Sequence, residues 1–242
     1  MRIAVISDIH ANLPALDAVL GAVAAEGVDE LWCLGDLVGY GPHPNECVAL
    51  VRDRASICLV GNHDLAVVGR LDLDLFGGAA GAAARWTQTV LADDARTFLV
   101  RLEPTARAPG VALAHGSPRD PVWEYVLTEA AAAAAFAIVE EPLVLVGHSH
   151  AALAVTLGRG GPTGGPARAG TEVALDTGRH LLNPGSVGQP RDGDPRAAWL
   201  VIDTEAARAT FRRTAYPVEQ TQAAMREVEL PELLVTRLVH GA

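Results

Sequence analysis

Short apolar runs alternate with segments of helical periodicity along the first part of the chain. The apolar runs cover residues 2–6, 31–34, 57–60, 111–114 and 143–146, and each ends in a polar cluster that contains His, Asp or Asn. Helical spacing begins at Asn12, ends at Gly27 and returns over residues 43–53. Strands that alternate with helices predict an α/β fold with parallel strands.

The pattern changes after His150, where apolar runs are joined by short turns instead of helices. These runs cover residues 152–157, 171–175, 197–202 and 207–213, and they predict hairpins. The stretch 158–170 is rich in Gly and Pro, so we expect a flexible hairpin tip there.

Two segments have helical patterns outside this alternation. Residues 71–103 are alanine-rich and predict a helical insert, and two short helices are expected between residues 217 and 240. No break in composition divides the chain, which predicts one domain over residues 1–242. We expect two packed, mainly mixed β-sheets flanked by helices, an α-β-β-α sandwich.

Composition narrows the function classes. The chain has 29 acidic and 19 basic side chains, a net charge of −10, and no lysine, which excludes a Walker A loop or a Schiff-base enzyme. The acidic balance and the absence of a basic run argue against an extended nucleic-acid surface. No apolar run is long enough for a bilayer, and an aspartate follows the first run too early for a signal peptide. We therefore expect a cytoplasmic protein without a membrane partner; the oligomeric state stays open.

The polar clusters at the strand ends supply candidate metal ligands. Ligands of open α/β sheets bind beyond the carboxyl ends of the strands, so these clusters are expected to converge. The candidates are Asp8, His10, Asp36, Asn62, His115, His148 and His150. Imidazoles with oxygen ligands suit Mn, Fe, Zn, Co or Ni better than Ca or Mg. Seven ligands are too many for one catalytic ion with an open position and fit two ions that share a carboxylate.

The order of these motifs resembles the calcineurin-like metallophosphoesterase superfamily, and within it the bacterial small phosphodiesterases and diadenosine tetraphosphatases. The motifs are Asp8-x-His10, Gly35-Asp36, Gly61-Asn62-His63-Asp64, His115, Gly147-His148-x-His150 and the run from Asn183 to Pro190. The resemblance implies that one ion would be held by Asp8, His10, Asp36 and His150. The other would be held by Asp36, Asn62, His115 and His148. It also implies catalytic roles for His63, which would contact the scissile phosphate, and for Asp64, which would orient the His63 ring.

The implied chemistry is phosphoester hydrolysis. Two divalent ions roughly 3.5–4 Å apart neutralise the phosphoryl oxygens and convert a bridging water to hydroxide at neutral pH. We expect Mn²⁺ as the activator, with Fe, Zn, Ni or Co as alternatives. Protonated His63 would stabilise the transition state or protonate the leaving group.

The expected substrates are small phosphodiesters, nucleotides or dinucleoside polyphosphates, because nothing outside the metal site would bind a long phosphate backbone. The insert over residues 71–103 is expected to wall one side of the site. Candidate substrate contacts are Asn12, Tyr40, Arg119 and Arg191. Asn12 could equally start the first helix or support a ligand. For the two arginines, a surface position is favoured over a contact with substrate phosphate.

Other functions remain open alternatives. The same site could serve a phosphomonoesterase or a protein phosphatase, although the residues after Asp36 lack the Asp-Arg-Gly pattern of the latter. A non-catalytic interaction scaffold of the same fold would be expected to have lost ligands, and none is missing here. The segment Gly147 to Ala151 resembles the nucleophile elbow of a serine hydrolase, but that reading leaves the motifs from Asp8 to His115 unexplained.

Overall fold

Two six-stranded sheets pack face to face in the computed structural model, which describes residues 1–242. In spatial order, the first sheet contains β3 (Ile57–Cys58), β2 (Glu30–Cys33), β1 (Arg2–Ile6), β11 (Ala197–Asp203), β12 (Arg208–Thr214) and β9 (Glu172–Ala174). The second sheet contains β4 (Thr105–Ala108), β5 (Val111–Ala114), β6 (Leu143–Val146), β10 (Arg179–Asn183), β7 (Leu153–Gly158) and β8 (Gly161–Pro166). The helices are α1 (Leu13–Glu26), α2 (Pro44–Arg54), α3 (Asn62–Val67), α4 (Gly78–Val90), α5 (Asp93–Val100), α6 (Glu129–Ile138), α7 (Val218–Glu227) and α8 (Glu232–Arg237).

The central strands are buried on both faces, which explains why they are unbroken apolar runs in the sequence. In β1, Ile3 and Val5 lie in the core between the sheets, whereas Ala4 packs with the apolar face of α1. The second sheet repeats this layering, because Leu145 of β6 lies between the sheets and Val144 packs with α6. The fold is therefore the expected α-β-β-α sandwich.

Both sheets are mixed. Strands β1, β2 and β3 are parallel in the first sheet, and β5, β6 and β10 are parallel in the second. The later strands pair into the same sheets, with β11 antiparallel to β1 and β7 antiparallel to β10. The loops that follow β1, β2, β5 and β6 consequently meet at one end of the sandwich, where the predicted polar clusters lie.

The Gly- and Pro-rich stretch 158–170 differs from the expectation of a flexible tip. Residues Gly161–Pro166 form β8, an edge strand paired antiparallel with β7 along its whole length. An edge strand tolerates proline, since one row of its amide groups needs no partner. At Gly164 a Cβ atom would lie 2.1 Å from the carbonyl oxygen of Ala154, so glycine allows the close approach of the two strands.

The segment 71–103 is helical, as the pattern predicts. It contains a 3₁₀ turn at Leu73–Leu75 followed by α4 and α5. Ala83 of α4 packs with Met225 of α7 and Leu234 of α8, so the closing helices brace the insert. The insert is thereby held beside the end of the sandwich that carries the polar clusters.

Candidate metal centre

Unusual backbone turns carry the predicted ligands beyond the strand ends. Asp8, His10, Asp36, His148 and His150 have φ angles between 49° and 63°. This left-handed region is uncommon for residues with a side chain, and such turns collect at functional sites. The turns fold five side chains back into one buried volume, where all seven predicted ligands meet and are at most 4% exposed.

The ligand atoms form two clusters. Within each cluster, the ligand atoms lie within 4.8 Å of one another. The first cluster consists of Asp8, His10, Asp36 and His150. The second cluster consists of Asp36, His115 and His148. Asp36 belongs to both, and its Oδ2 lies 3.5 Å from Nε2 of His10 and 3.5 Å from Nε2 of His115. The side-chain oxygen of Asn62 lies 3.2 Å from His115 Nε2, which adds an oxygen to the second cluster. This arrangement is consistent with a dinuclear metal site.

Hydrogen bonds to the backbone fix which histidine nitrogens face the clusters. The Nδ1 atoms of His10, His115 and His150 lie 3.1, 2.8 and 2.7 Å from the carbonyl oxygens of Val38, Leu34 and Gln189. A carbonyl only accepts, so each Nδ1 donates its hydrogen, and Nε2 is the atom that each ring offers as a ligand when it is neutral. The Nε2 atoms of His10 and His150 are 3.0 Å apart. Two facing lone pairs at this distance cannot hydrogen-bond, but both can bind one cation.

Several buried atoms in the clusters have no hydrogen-bond partner. They are Asp8 Oδ1, Asp36 Oδ2 and His148 Nε2. The other carboxylate oxygens are occupied, because Asp8 Oδ2 accepts from the His148 amide and Asp36 Oδ1 accepts from the His63 amide. An unsatisfied buried polar group costs about 1–3 kcal/mol. The atoms left unsatisfied are the ones a divalent cation would coordinate, so the donor set fits a metal.

The electrostatics of the clusters suit a cation as well. Burial lowers the pKa of His148 to about 3 and takes the pKa values of His10 and His150 well below the ordinary value, so these rings are neutral ligands at pH 7. Burial raises the pKa of Asp8 to about 7. Burial also opposes ionisation of Asp36, but the charge of His115 outweighs it and holds the pKa of Asp36 well below its usual range. Burial acts to lower the pKa of His115, but Asp36 and Asp8 overcome it and raise the pKa of His115 to about 9, so a metal ion would displace a proton from this ring.

His63 lies beside the clusters and outside the ligand set. Its amide donates to Asp36, while its ring lines the cleft and its Nδ1 has no partner. Close packing places the ring: a Cβ atom at Gly39 would lie 2.6 Å from His63 Nδ1, and Gly39 has a φ of +86°. Burial lowers the pKa of His63 to about 4.

The expected role of Asp64 needs a correction. Its carboxylate accepts from the Val38 amide at 2.9 Å and the Gly61 amide at 3.0 Å, and it makes no hydrogen bond to the His63 ring. Asp64 therefore ties the loop after β2 to the start of α3. Gly61 is required at this junction because its Cβ would lie 2.0 Å from Asp36 Oδ1.

The four expected substrate contacts separate into two pairs. Tyr40 and Arg191 line a cleft of about 220 Å³ over the clusters, and the Arg191 guanidinium hydrogen-bonds only the neutral groups of Tyr40 and Gln189. Asn12 lies below the cleft: it caps α1 by accepting from the Ala15 amide. Its amide group donates to the Gly188 carbonyl oxygen and the Tyr216 hydroxyl.

Arg119 lies outside the cleft, where its guanidinium pairs with Glu124. Neither Asn12 nor Arg119 thus has a free group in the cleft. The cleft also contains residues that the sequence analysis did not single out, namely Leu75, Phe76, Trp123 and Tyr125. Their one sequence signal is the presence of Trp and Tyr two positions apart in a polar loop of a chain with only 5% aromatic residues.

The predicted serine elbow lacks the contacts of a nucleophile. Ser149 Oγ accepts from the side-chain amide of Asn183 at 3.0 Å. The flanking residues His148 and His150 direct their Nε2 atoms into the metal clusters instead. A serine hydrolase mechanism therefore has no support in this geometry.

The profile of the calcineurin-like phosphoesterase superfamily domain matches residues 1–207. The chain belongs to this superfamily of metal-dependent phosphoesterases. An uncharacterised protein of Methanocaldococcus jannaschii is 36% identical over 250 residues, which cover 99% of this chain and 98% of the relative. A metallophosphoesterase from Sphaerobacter thermophilus, known from a crystal structure, is 46% identical in sequence to this chain. The two structures superpose with a TM-score of 0.90, and the match covers 100% of this chain and 99% of the Sphaerobacter chain.

A shorter similarity joins this phosphoesterase to a symmetrical bis(5'-nucleosyl)-tetraphosphatase of Thioalkalivibrio sulfidiphilus. The two are 40% identical over 68 residues, which are 27% of this chain and 25% of the relative. None of the helices in the phosphoesterase is both long and apolar enough to span a membrane.

Proposed function

We propose that this chain is a two-metal phosphoesterase that hydrolyses small phosphodiesters, nucleotides or dinucleoside polyphosphates. The observation that carries the proposal is Asp36, whose unpartnered Oδ2 is shared by two clusters of buried ligand atoms. A shared carboxylate is the arrangement by which two-metal hydrolases hold both ions next to one substrate.

The proposed ligands follow the two clusters. Asp8, His10, Asp36 and His150 would hold one ion; Asp36, Asn62, His115 and His148 would hold the other. When bound, the two ions would neutralise the phosphoryl oxygens and activate a water molecule for attack. We propose Mn²⁺ as the activator, because mixed imidazole and oxygen ligands suit it.

His63 is proposed to contact the scissile phosphate. With its pKa at about 4, the ring is neutral at pH 7 and can donate one N–H hydrogen bond to a phosphoryl oxygen. An anionic phosphate against the ring raises the pKa, since a nearby negative charge favours the imidazolium. The ring would then be able to protonate a leaving alkoxide, a contribution of roughly 10²–10⁴ in rate.

Arg191 is proposed to contact a phosphoryl oxygen beside Tyr40, whose ring lies 4.3 Å from the His63 ring. Its guanidinium has no carboxylate partner, and the hydroxyl of Tyr40 lies 3.3 Å from one of its nitrogens. An arginine that is half-buried beside a metal centre and not neutralised favours an anionic ligand.

The size of the cleft supports small substrates. The cleft has a volume of about 220 Å³, and the insert closes one side of it through Leu75 and Phe76. The similarity to a bis(5'-nucleosyl)-tetraphosphatase supports nucleotides among them. Every predicted ligand and His63 are present, which favours an enzyme over a non-catalytic scaffold.

A substrate panel tests the proposal. Purified protein with added Mn²⁺ is expected to hydrolyse bis-nitrophenyl phosphate or a dinucleoside polyphosphate, to stop when a chelator is added and to recover with excess Mn²⁺. His240→Ala replaces an exposed histidine outside the clusters and is expected to keep this activity, so it serves as the control for the histidine replacements described below. Activity confined to duplex DNA or a folded phosphoprotein would contradict the proposed substrate class, and activity that survives complete metal removal would contradict the mechanism.

A further inference from the structure

One wall of the cleft is apolar although it borders the two clusters of carboxylate and imidazole ligand atoms. It consists of Leu75, Phe76, Trp123 and Tyr125, which we call the apolar wall. Leu75, Tyr125 and Trp123 are 62%, 48% and 38% exposed. Large apolar side chains grouped at a concave surface mark binding sites more often than scattered ones do.

The rings of the apolar wall contact the imidazole rings of the candidate metal site. The Tyr125 ring stacks on the His148 ring at a centroid distance of 4.2 Å and an interplanar angle of 5°. The Phe76 ring lies 4.9 Å from the His63 ring and 5.5 Å from the Trp123 ring. A group attached to a phosphate between His148 and His63 would therefore meet these rings first.

The loop that carries Trp123 and Tyr125 is fixed by its own hydrogen bonds. Asp120 Oδ1 accepts from the amides of Val122 and Trp123 at 3.2 and 3.1 Å. Glu124 points away from the cleft, where Ser117 and Arg119 hold its carboxylate. Trp123 and Tyr125, on either side of Glu124, both line the cleft.

We propose, resting on the proposed function above, that the apolar wall binds a planar ring on the substrate, a nucleobase or an aryl group, while the attached phosphate lies at the metal clusters. Stacked rings suit the flat, exposed faces of Tyr125 and Trp123, and stacking of one base on an aromatic side chain is worth roughly 1–3 kcal/mol. Arg191, which lines the same cleft beside Tyr40, matches the anionic end of such a ligand. The concave shape of the cleft and its volume of about 220 Å³ suit a small ligand and not a folded partner surface.

Equilibrium binding tests the assignment without relying on turnover. Titration calorimetry of the Mn²⁺-loaded protein would compare two matched pairs of ligands. Phenyl phosphate is paired with methyl phosphate, and AMP is paired with ribose phosphate. Each ring-bearing member is expected to bind at least about tenfold more tightly than its partner. The two pairs distinguish a general preference for aromatic rings from one that needs a nucleoside.

Variants then localise the preference. Trp123→Ala and Tyr125→Ala are expected to reduce the ratio within each pair to about twofold or less, whereas Trp123→Phe retains most of it. Leu127→Ala, an exposed apolar residue of the same loop outside the cleft, is expected to leave the ratio unchanged. Circular dichroism and metal content of the alanine variants would establish that they fold and load.

The outcomes separate this assignment from the proposed function. Mn²⁺-dependent hydrolysis of bis-nitrophenyl phosphate, with binding ratios that neither alanine variant changes, would overturn the role of the apolar wall and leave the proposed function standing. A ring preference lost in Trp123→Ala, without hydrolysis of any ester, would support the wall and overturn the enzyme. A change in oligomeric state with unchanged ratios would identify the wall as a contact between copies and overturn the assignment.

Discussion

The two ends of the β-sandwich both contain cavities. They differ in whether the buried histidines that line these cavities have hydrogen-bond partners. The end opposite the metal clusters has the larger cavity, about 690 Å³, with Ile3, Trp32 and Leu143 in its lining. Its one histidine, His180, is satisfied at both nitrogens, by Thr156 Oγ1 at 3.1 Å and the Thr177 carbonyl oxygen at 2.8 Å. At the metal end, His148 is buried to the same degree and its Nε2 has no partner.

This contrast shows that the end of the sandwich with the candidate metal site is identified by buried polar atoms without hydrogen-bond partners, and not by the volume of its cavity. A histidine whose two nitrogens are used by the protein is part of the structure, whereas one that presents a free lone pair to other lone pairs awaits a ligand. The following changes test that distinction, beginning with the largest expected effect.

Asp36→Ala removes the carboxylate shared by the two clusters. We expect metal content to fall from about two ions per chain to near zero, with loss of most phosphoesterase activity, because each proposed ion loses an anionic ligand. Asn62→Ala removes a neutral ligand of the second cluster alone and is expected to lose chiefly one ion. Elemental analysis measures both, and near two ions in purified Asp36→Ala would contradict the shared role.

His63→Ala keeps all seven proposed metal ligands. We expect two ions to remain bound while turnover falls by roughly 10²-fold or more, since the change removes the proposed contact to the phosphate and no proposed metal ligand. The decrease should be smaller for a nitrophenolate leaving group, which needs no proton. Equal decreases for good and poor leaving groups would count against proton donation by His63, and lost metal would make it a ligand.

His148→Ala and His180→Ala form a matched pair of buried histidine replacements. His180→Ala is expected to lower the free energy of unfolding by about 1–3 kcal/mol, because Thr177 and Thr156 lose a partner, and to leave metal content intact. His148→Ala is expected to lose metal and activity without destabilising the metal-free protein. Denaturant unfolding with chelator present measures both, and equal destabilisation by the two changes would remove the distinction between the ends.

Glu26 provides the smallest test, on the side of the first sheet away from the clusters. Its hydrogen bond from Arg212, together with Arg2, lowers the pKa of Glu26 below its ordinary value of 4.5. The group therefore adds stability above pH 4.5, and that stability is lost as pH falls through the lower folded pKa. Unfolding measured from pH 6 to 3 should show a weaker pH dependence in Glu26→Gln, by at most about 1 kcal/mol for such a partly exposed pair. An unchanged pH profile would show that the pair contributes nothing.

The sequence predicts the metal end well, since the ligands follow apolar runs whose strand ends must meet. It predicts the surroundings poorly, because those depend on loop conformations that spacing does not encode. Arg119 was expected to contact substrate and instead holds Glu124, a contact that exists only once the Asp120 turn has formed. The strand β8 was missed for a related reason: glycine at Gly164 signals a flexible loop in sequence but permits close strand packing in the fold.

The left-handed turns of the clusters have a consequence for any effort to make this protein more robust. An L-residue in that conformation is disfavoured by roughly 1–2 kcal/mol, a penalty that glycine avoids. His148→Gly, which removes a ring nitrogen that has no hydrogen-bond partner, would therefore rank as an attractive replacement in a search guided by thermal stability alone. Successive substitutions selected in this way would give a protein of higher thermal stability that no longer binds metal.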